Sequence, residues 1–423
     1  MEMVNNRTFK REDLPKVNVI DAMPGAGKTT WGIKKINSST NPIVYVTPFK
    51  SECDRIGNDC NRIVSLGSIE DDTMLEEYGN TAKLSIFKDL ISKGQSIAVT
   101  HSLFKLFDSE CYTLIKQGKY TLFLDEVVNA ISPFEMLKKR DLEMLINDGM
   151  IKISDDTGNM EVKWIEQDYV GKFNDEKAKI NEGECYYSVI GEKTQRPMLF
   201  QELSVGKFVY FKEVTILTYL FEKSELSCFF KSCKLPYTLY SLKDNDIVPY
   251  SRFTEDRDRI RSLLHIYNGK LNQNFKGELT KTFYDKSKNK PDIDQIRKNI
   301  NNYFKNICKA PTEDTLWSCY NVHYKKLSGN KNTSKNFLSF NARAVNEKDS
   351  VHYLAYPLNV YTDPTIIYYF KAKGIEYNQD LFALSTLLQW TFRSAIRKGE
   401  SVHLYLPSER MRDLLEKYFN YEL

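Results

Sequence analysis

The sequence predicts an α/β protein built around a phosphate-binding loop, and three observations carry that reading. "VNVIDAMPGAGKTT" (Val17–Thr30) runs from an apolar strand through a glycine loop into a helix. "TLFLDEVVNA" (Thr121–Ala130) is a second apolar strand, ending in Asp125 and Glu126. "PIVYVTPFKSECDRI" (Pro42–Ile56) and "QSIAVTHSLFKLF" (Gln95–Phe107) repeat the strand-to-helix scheme. Strands that alternate with helices build parallel sheets, whose carboxyl ends line a binding crevice.

The loop comes first. Pro24, Gly25, Ala26, Gly27, Lys28, Thr29 and Thr30 follow the G-x-x-x-x-G-K-[ST] pattern, with Ala22 at the place of its first glycine. Ala22 sits at the strand end, where a small residue suffices. Backbone N–H groups and the helix N-terminus point at phosphate oxygens in such a loop. Gly25 and Gly27 admit close approach. Lys28 is expected to neutralise the β- and γ-phosphates of a nucleotide, and the Thr29 hydroxyl to bind magnesium. The loop alone leaves kinases, GTPases, packaging motors and helicases open.

The acid strand narrows the choice to hydrolysis. Asp125 is expected to hold magnesium, directly or through water. Glu126 is expected to orient and deprotonate the attacking water. At the other strand ends stand Thr47, Thr100, His101 and Ser102. Short hydroxyls there suit a phosphate backbone. Capping of the following helix explains Thr and Ser equally well.

Composition sets the outer bounds. A chain of 423 residues with 41% hydrophobic content can bury two or three cores. No apolar run reaches the roughly 18–20 residues of a membrane span, and "MEMVNNRTFKREDLPK" has no signal-peptide core. A cytoplasmic protein with no membrane partner is expected. The eight cysteines form no C-x-x-C pair, so reduced thiols and no zinc site are expected. The net charge of +4 is uneven: Lys231–Val345 holds 22 Lys and Arg against 11 Asp and Glu, leaving +11 there and −7 elsewhere. A basic block rich in Tyr, Phe and Asn suits a polyanion, although a solvated surface shares that composition.

Taken together, "DAMPGAGKTT", "DEVV", "VTPFKS", "VTHSLF" and "VTILTYLF" (Val214–Phe221) resemble the motifs of the superfamily-two helicases, the DEAD/DEAH-like group. "FLSFNARAVN" (Phe337–Asn346) resembles the group's fifth motif and places Arg343 at a nucleic-acid contact. "LLQWTFRSAIRKGE" (Leu387–Glu400) resembles its sixth, with Gln389 and Arg393 at the family spacing and Arg397 one residue late. Several segments of the second half look like helicase-like proteins of bacteriophages and mobile elements. The resemblance implies two RecA-like P-loop NTPase domains, at 1–235 and 236–423. It implies ATP and Mg2+ as cofactors and Arg393 and Arg397 as arginine-finger candidates. The implied partner is single-stranded or partly duplex nucleic acid, DNA before RNA, handled by a monomer. A packaging motor lacks its downstream acidic nuclease cluster here, and a small-molecule kinase needs no basic second half. An ATP-switched clamp without strand separation is the other class.

The remaining elements follow from pattern. Alternating residues and glycine turns predict a β-rich insertion at about 150–210. "DIDQIRKNINNYFKNICK" has apolar residues at helical spacing, and "SLLHIYNGK", "TLWSCY", "NFLSF" and "SVHLYLP" read as strands. "SERMRDLLEKYFNY" reads as a helix capped by Ser408. Arg393 and Arg397, four apart, are expected on one helix face. "LSGNKNTSKN" (Leu327–Asn336) is a basic loop suited to backbone contact.

Overall fold

Continuous apolar runs belong to strands covered on both faces, and those of the first half lie side by side. In the computed structural model the strands run in the order Lys16–Asp21, Glu213–Thr218, Thr121–Asp125, Ile43–Thr47, Ser96–Thr100 and Ile63–Ser65. Thr121–Asp125 pairs in parallel with Glu213–Thr218 on one side and with Ile43–Thr47 on the other. All five residues of Ile43–Thr47 are buried. The structure describes residues 2–4, 7–9, 14–67, 80–134, 137–154, 160–181, 185–190, 196–328, 336–341 and 348–423.

The chain divides into two units. One comprises Met1–Val19, Gly32–Thr238 and Asp363–Tyr377; the other comprises Ile20–Trp31, Leu239–Thr362 and Asn378–Leu423. The glycine loop therefore groups with the second half of the chain.

Within the first unit a five-stranded antiparallel sheet has the order Ile131–Pro133, Arg196–Glu202, Cys185–Ile190, Glu161–Trp164, Ile151–Ser154. Its first strand precedes the span read as β-rich. Leu142 and Leu145 of helix Lys139–Asn147 and Ile180 of helix Asn174–Asn181 pack on Ile151, Val162, Trp164 and Leu199 of the sheet. Helix Pro364–Ala372 packs on the same sheet, with the Tyr369 and Phe200 ring centroids 5.3 Å apart.

Within the second unit a parallel sheet has the order Leu264–Ile266, Val402–Tyr405, Tyr353–Ala355, Thr315–Trp317. Ile293, Ile296 and Ile300 form the buried stripe of helix Lys290–Asn302. The Ser408 side chain accepts from the Met411 N–H at the start of helix Glu409–Phe419, as its sequence predicts. "NFLSF" departs from its expected strand and makes a single bridge, Phe337 to Trp317.

Arg393 and Arg397 do not share a helix. Helix Gln379–Thr391 ends before them, and Arg397 lies in a separate 3-10 turn, Ala395–Lys398. The cause is local. The Ser394 hydroxyl donates to the Thr391 carbonyl at 2.6 Å, and Ser394 adopts extended backbone. A serine bonding its own neighbouring backbone competes with helix continuation.

Candidate active site

The loop has the shape its glycines permit. Gly25 and Gly27 have φ of +84° and +89°, a region open to glycine at little cost. The Ala26 N–H donates to the Met23 carbonyl at 3.1 Å, closing the turn. Helix Lys28–Asn37 begins immediately after it. The Lys28 ammonium folds back on the loop, donating to the carbonyls of Ala22 at 2.5 Å and Met23 at 2.9 Å. Pro24 and Thr29 are half-buried, and Gly25, Ala26 and Thr30 are exposed.

Second-unit residues surround the loop. A Cβ placed on Gly25 would lie 3.4 Å from Cγ of Arg397, and one on Gly27 would lie 3.4 Å from the Asn245 side-chain oxygen. The Tyr418 hydroxyl is 3.3 Å from the Met23 sulfur. Arg397 is exposed, whereas Arg393 is buried at 9% exposure and its N–H donates to the Trp390 carbonyl. The Gln389 amide donates to Ser385 at 3.3 Å, one turn back on its own helix. Arg397, read from sequence as part of the sixth motif, lies beside the loop.

The two acids sit at the end of their strand in the first unit. Glu126 has φ of +61° and donates its N–H to the Leu217 carbonyl at 2.9 Å. A left-handed backbone on a non-glycine residue costs free energy and recurs at functional sites. Asp125 accepts a 2.8 Å hydrogen bond from the Tyr45 hydroxyl. Burial, followed by the Asp125 carboxylate, pushes the Tyr45 hydroxyl well above its ordinary pKa, so it remains a donor. The His101 Nε2 lies 3.1 Å from the Asp125 carbonyl, to which the Nε2–H tautomer donates.

Those contacts alter the view of the strand ends. Thr47 is buried at 1% exposure. Thr100 uses its hydroxyl as an N-cap, accepting from the Leu103 N–H at 3.3 Å. Both hydroxyls read as backbone contacts are therefore covered or engaged here, and His101 is tied to the acid strand. Arg343, and most of the basic loop Leu327–Asn336, lie outside the described residues.

Sequence reasoning passed over Tyr45. Its signal was present: one tyrosine in a Val/Ile strand, in register with Phe123 and so on the face that carries Asp125 two residues later.

The residue types suit a magnesium nucleotide, since magnesium takes oxygen donors and keeps water and phosphate ligands: Thr29 offers a hydroxyl in the second unit and Asp125 a carboxylate in the first. Among the described residues no group of three or more His, Cys, Asp or Glu is arranged to hold a metal ion. Cys53 and Cys111 are poor nucleophiles, since burial pushes their thiols up to about 12. Among the described residues no helix is long and apolar enough to cross a membrane.

Residues 258–419 match a family model described as the YonV C-terminal Rossmann-like domain. The SPbeta prophage-derived uncharacterized protein YonV of Bacillus subtilis (strain 168) is 33% identical over 420 residues, covering 95% of this chain and 98% of that protein. The chain belongs to the YonV family. A solved structure titled XPD_APO is similar to this YonV-family chain with a TM-score of 0.51 and 11% identity, covering 97% of this chain and 96% of that one. Another, titled XPD_Helicase, has a TM-score of 0.47 and 10% identity, covering 97% and 95%. The first likeness gives the fold: two RecA-like α/β domains, with the five-stranded sheet inserted in the first.

Proposed function

We propose that this YonV-family chain is an ATP-dependent nucleic-acid helicase or translocase, acting on DNA in phage or mobile-element replication or recombination. The observation that carries the reading is the loop: two left-handed glycines, Lys28 at the helix start and Arg397 packed beside Gly25. The prophage-derived description of the Bacillus relative supports the phage setting.

The chain's residues divide the work as follows. The N–H groups of 24–30 and the Lys28 ammonium hold the phosphates, the ammonium exchanging its carbonyl partners for phosphate oxygens. Thr29 and Asp125 would hold magnesium, which would supply charge neutralisation to the phosphoryl transfer. Glu126 takes the proton of the attacking water. Arg397 stabilises charge on the transferring phosphoryl group. Sequence spacing favours Arg393 for that role, but the packing of Arg397 on Gly25 favours Arg397. The basic block, with Arg343, grips a single strand or a partly duplex substrate by its backbone. The working form is a monomer.

ATPase and nucleotide-binding assays on three variants test this reading. Lys28→Ala should abolish turnover in a folded protein. Arg397→Ala should cut turnover by roughly 10³-fold, the low end of the finger range, with little change in ATP affinity. Arg393→Ala should weaken turnover less and lower stability more. Wild-type turnover in a folded Lys28→Ala protein ends the nucleotide reading. Strand separation on a partial duplex distinguishes a helicase from an ATP-switched clamp, which turns over without unwinding.

A further inference from the structure

The strand Ile43–Thr47 carries a polar group that the proposed chemistry does not yet use. Tyr45 and Phe123 are partners across the parallel pair, so their side chains share a sheet face. Asp125 lies two residues beyond Phe123 on that same face, ~7 Å further along the strand. A tyrosine leaning along its strand spans that gap, and its hydroxyl reaches Oδ2 of Asp125 at 2.8 Å. Tyr45 is wholly buried, and its ring lies nearly parallel to that of Phe123, with centroids 6.4 Å apart. The phenol therefore has little freedom to turn away. The His101 ring holds the Asp125 main-chain carbonyl at 3.1 Å. One donor fixes the carboxylate and another fixes its peptide.

We infer that Tyr45 is a positioning residue that sets the Asp125 carboxylate for the magnesium of the bound nucleotide. The inference rests on the reading of Asp125 as a metal-holding acid. A carboxylate with one oxygen engaged by a buried phenol presents the other in a fixed direction, which removes an ordering cost from metal binding. Groups that orient a metal ligand in this way are commonly worth 10–100-fold in metal affinity. A purely structural hydroxyl would contribute to stability and leave metal affinity alone.

The test is Mn2+ affinity, measured by electron paramagnetic resonance on the full chain with a non-hydrolysable ATP analogue, alongside thermal unfolding. Tyr45→Phe keeps the ring and removes the hydroxyl. It should weaken Mn2+ binding by roughly 10-fold, and raise the Mg2+ concentration needed for half-maximal turnover by a similar factor. Phe123→Leu perturbs the same packing without touching the hydrogen bond, and should leave Mn2+ affinity at the wild-type value. If Tyr45→Phe does not fold, Tyr45→Leu, which also removes the donor and stays apolar, takes its place with the same expected direction. Wild-type Mn2+ affinity in whichever variant folds overturns the role of Tyr45. Absence of nucleotide-dependent Mn2+ binding in the wild-type chain is a different result, which overturns the magnesium-nucleotide reading itself.

Discussion

Glu126 shows at the scale of one residue how the fold spends stability on a site. Its φ of +61° is a conformation that glycine adopts freely and glutamate does not. The Leu217 carbonyl, on a strand paired with its own, holds the backbone there. Glu126→Gln preserves shape and removes the proposed base. It should bind ATP and magnesium at near wild-type affinity while hydrolysis stalls, as read by equilibrium binding and single-turnover assays. Loss of binding together with turnover would make Glu126 a metal ligand. His352 offers a second test. Its ring bridges Glu400 and Asp314, each at 2.9 Å, and these hydrogen bonds, Glu400 first, raise its pKa above the ordinary value. A raised folded pKa means that this stabilisation is fully present below the unfolded value of about 6.5 and is lost as pH rises through the folded value. The melting-temperature gap between wild type and His352→Gln should therefore be widest near pH 5.5 and narrow toward about pH 9. Comparison with a variant matters, because burial lowers the neighbouring His403 and gives it the opposite pH dependence.

Elements were legible where local pattern and tertiary demand agree. The loop strand, the acid strand and the Ser408-capped helix follow from apolar runs and cap chemistry that the structure uses as written. The stretch around Arg393 was misleading. Its apolar spacing continues past Thr391, but Ser394 bonds backward and stops the helix. Helix Asn174–Asn181 buries little beyond Glu176 and Ile180, so its sequence has almost no apolar periodicity to see. The contacts of Tyr45 and His101 were hidden for another reason: they join segments 80 and 24 residues apart, which only strand order brings together. Lys207 is a further such contact. Buried at 4% exposure, its ammonium donates to the carbonyls of Phe104, Lys105 and Phe107 at 3.0, 2.8 and 3.3 Å, capping the helix that begins with His101. Lys207→Met leaves those carbonyls short of a donor. It should destabilise the protein by about 1–3 kcal/mol in urea unfolding, and a midpoint unchanged from wild type would show that water replaces the ammonium.

For the whole molecule, charge and fold support the same reading. The basic block between Lys231 and Val345 carries +11 in a chain of net +4. Neutralising phosphates with such a surface releases counterions, so affinity for single strands should fall steeply between 50 and 200 mM salt. The fold class was readable from the loop strand, the acid strand and the repeated strand-to-helix scheme, because strands that alternate with helices build a parallel sheet. The grouping of residues 20–31 with the second half was not readable, since it arises from contacts such as Met23 with Tyr418 across nearly the whole chain. In the proposed function, nucleic acid drives ATP turnover by this chain. Steady-state ATPase activity with single-stranded DNA, with single-stranded RNA and with neither is its most direct test, with Lys28→Ala as the blank. Slow turnover alone and strong stimulation by single strands, greatest with DNA, is the expected result. Turnover that is equal in all three conditions, or that persists in Lys28→Ala, would contradict it.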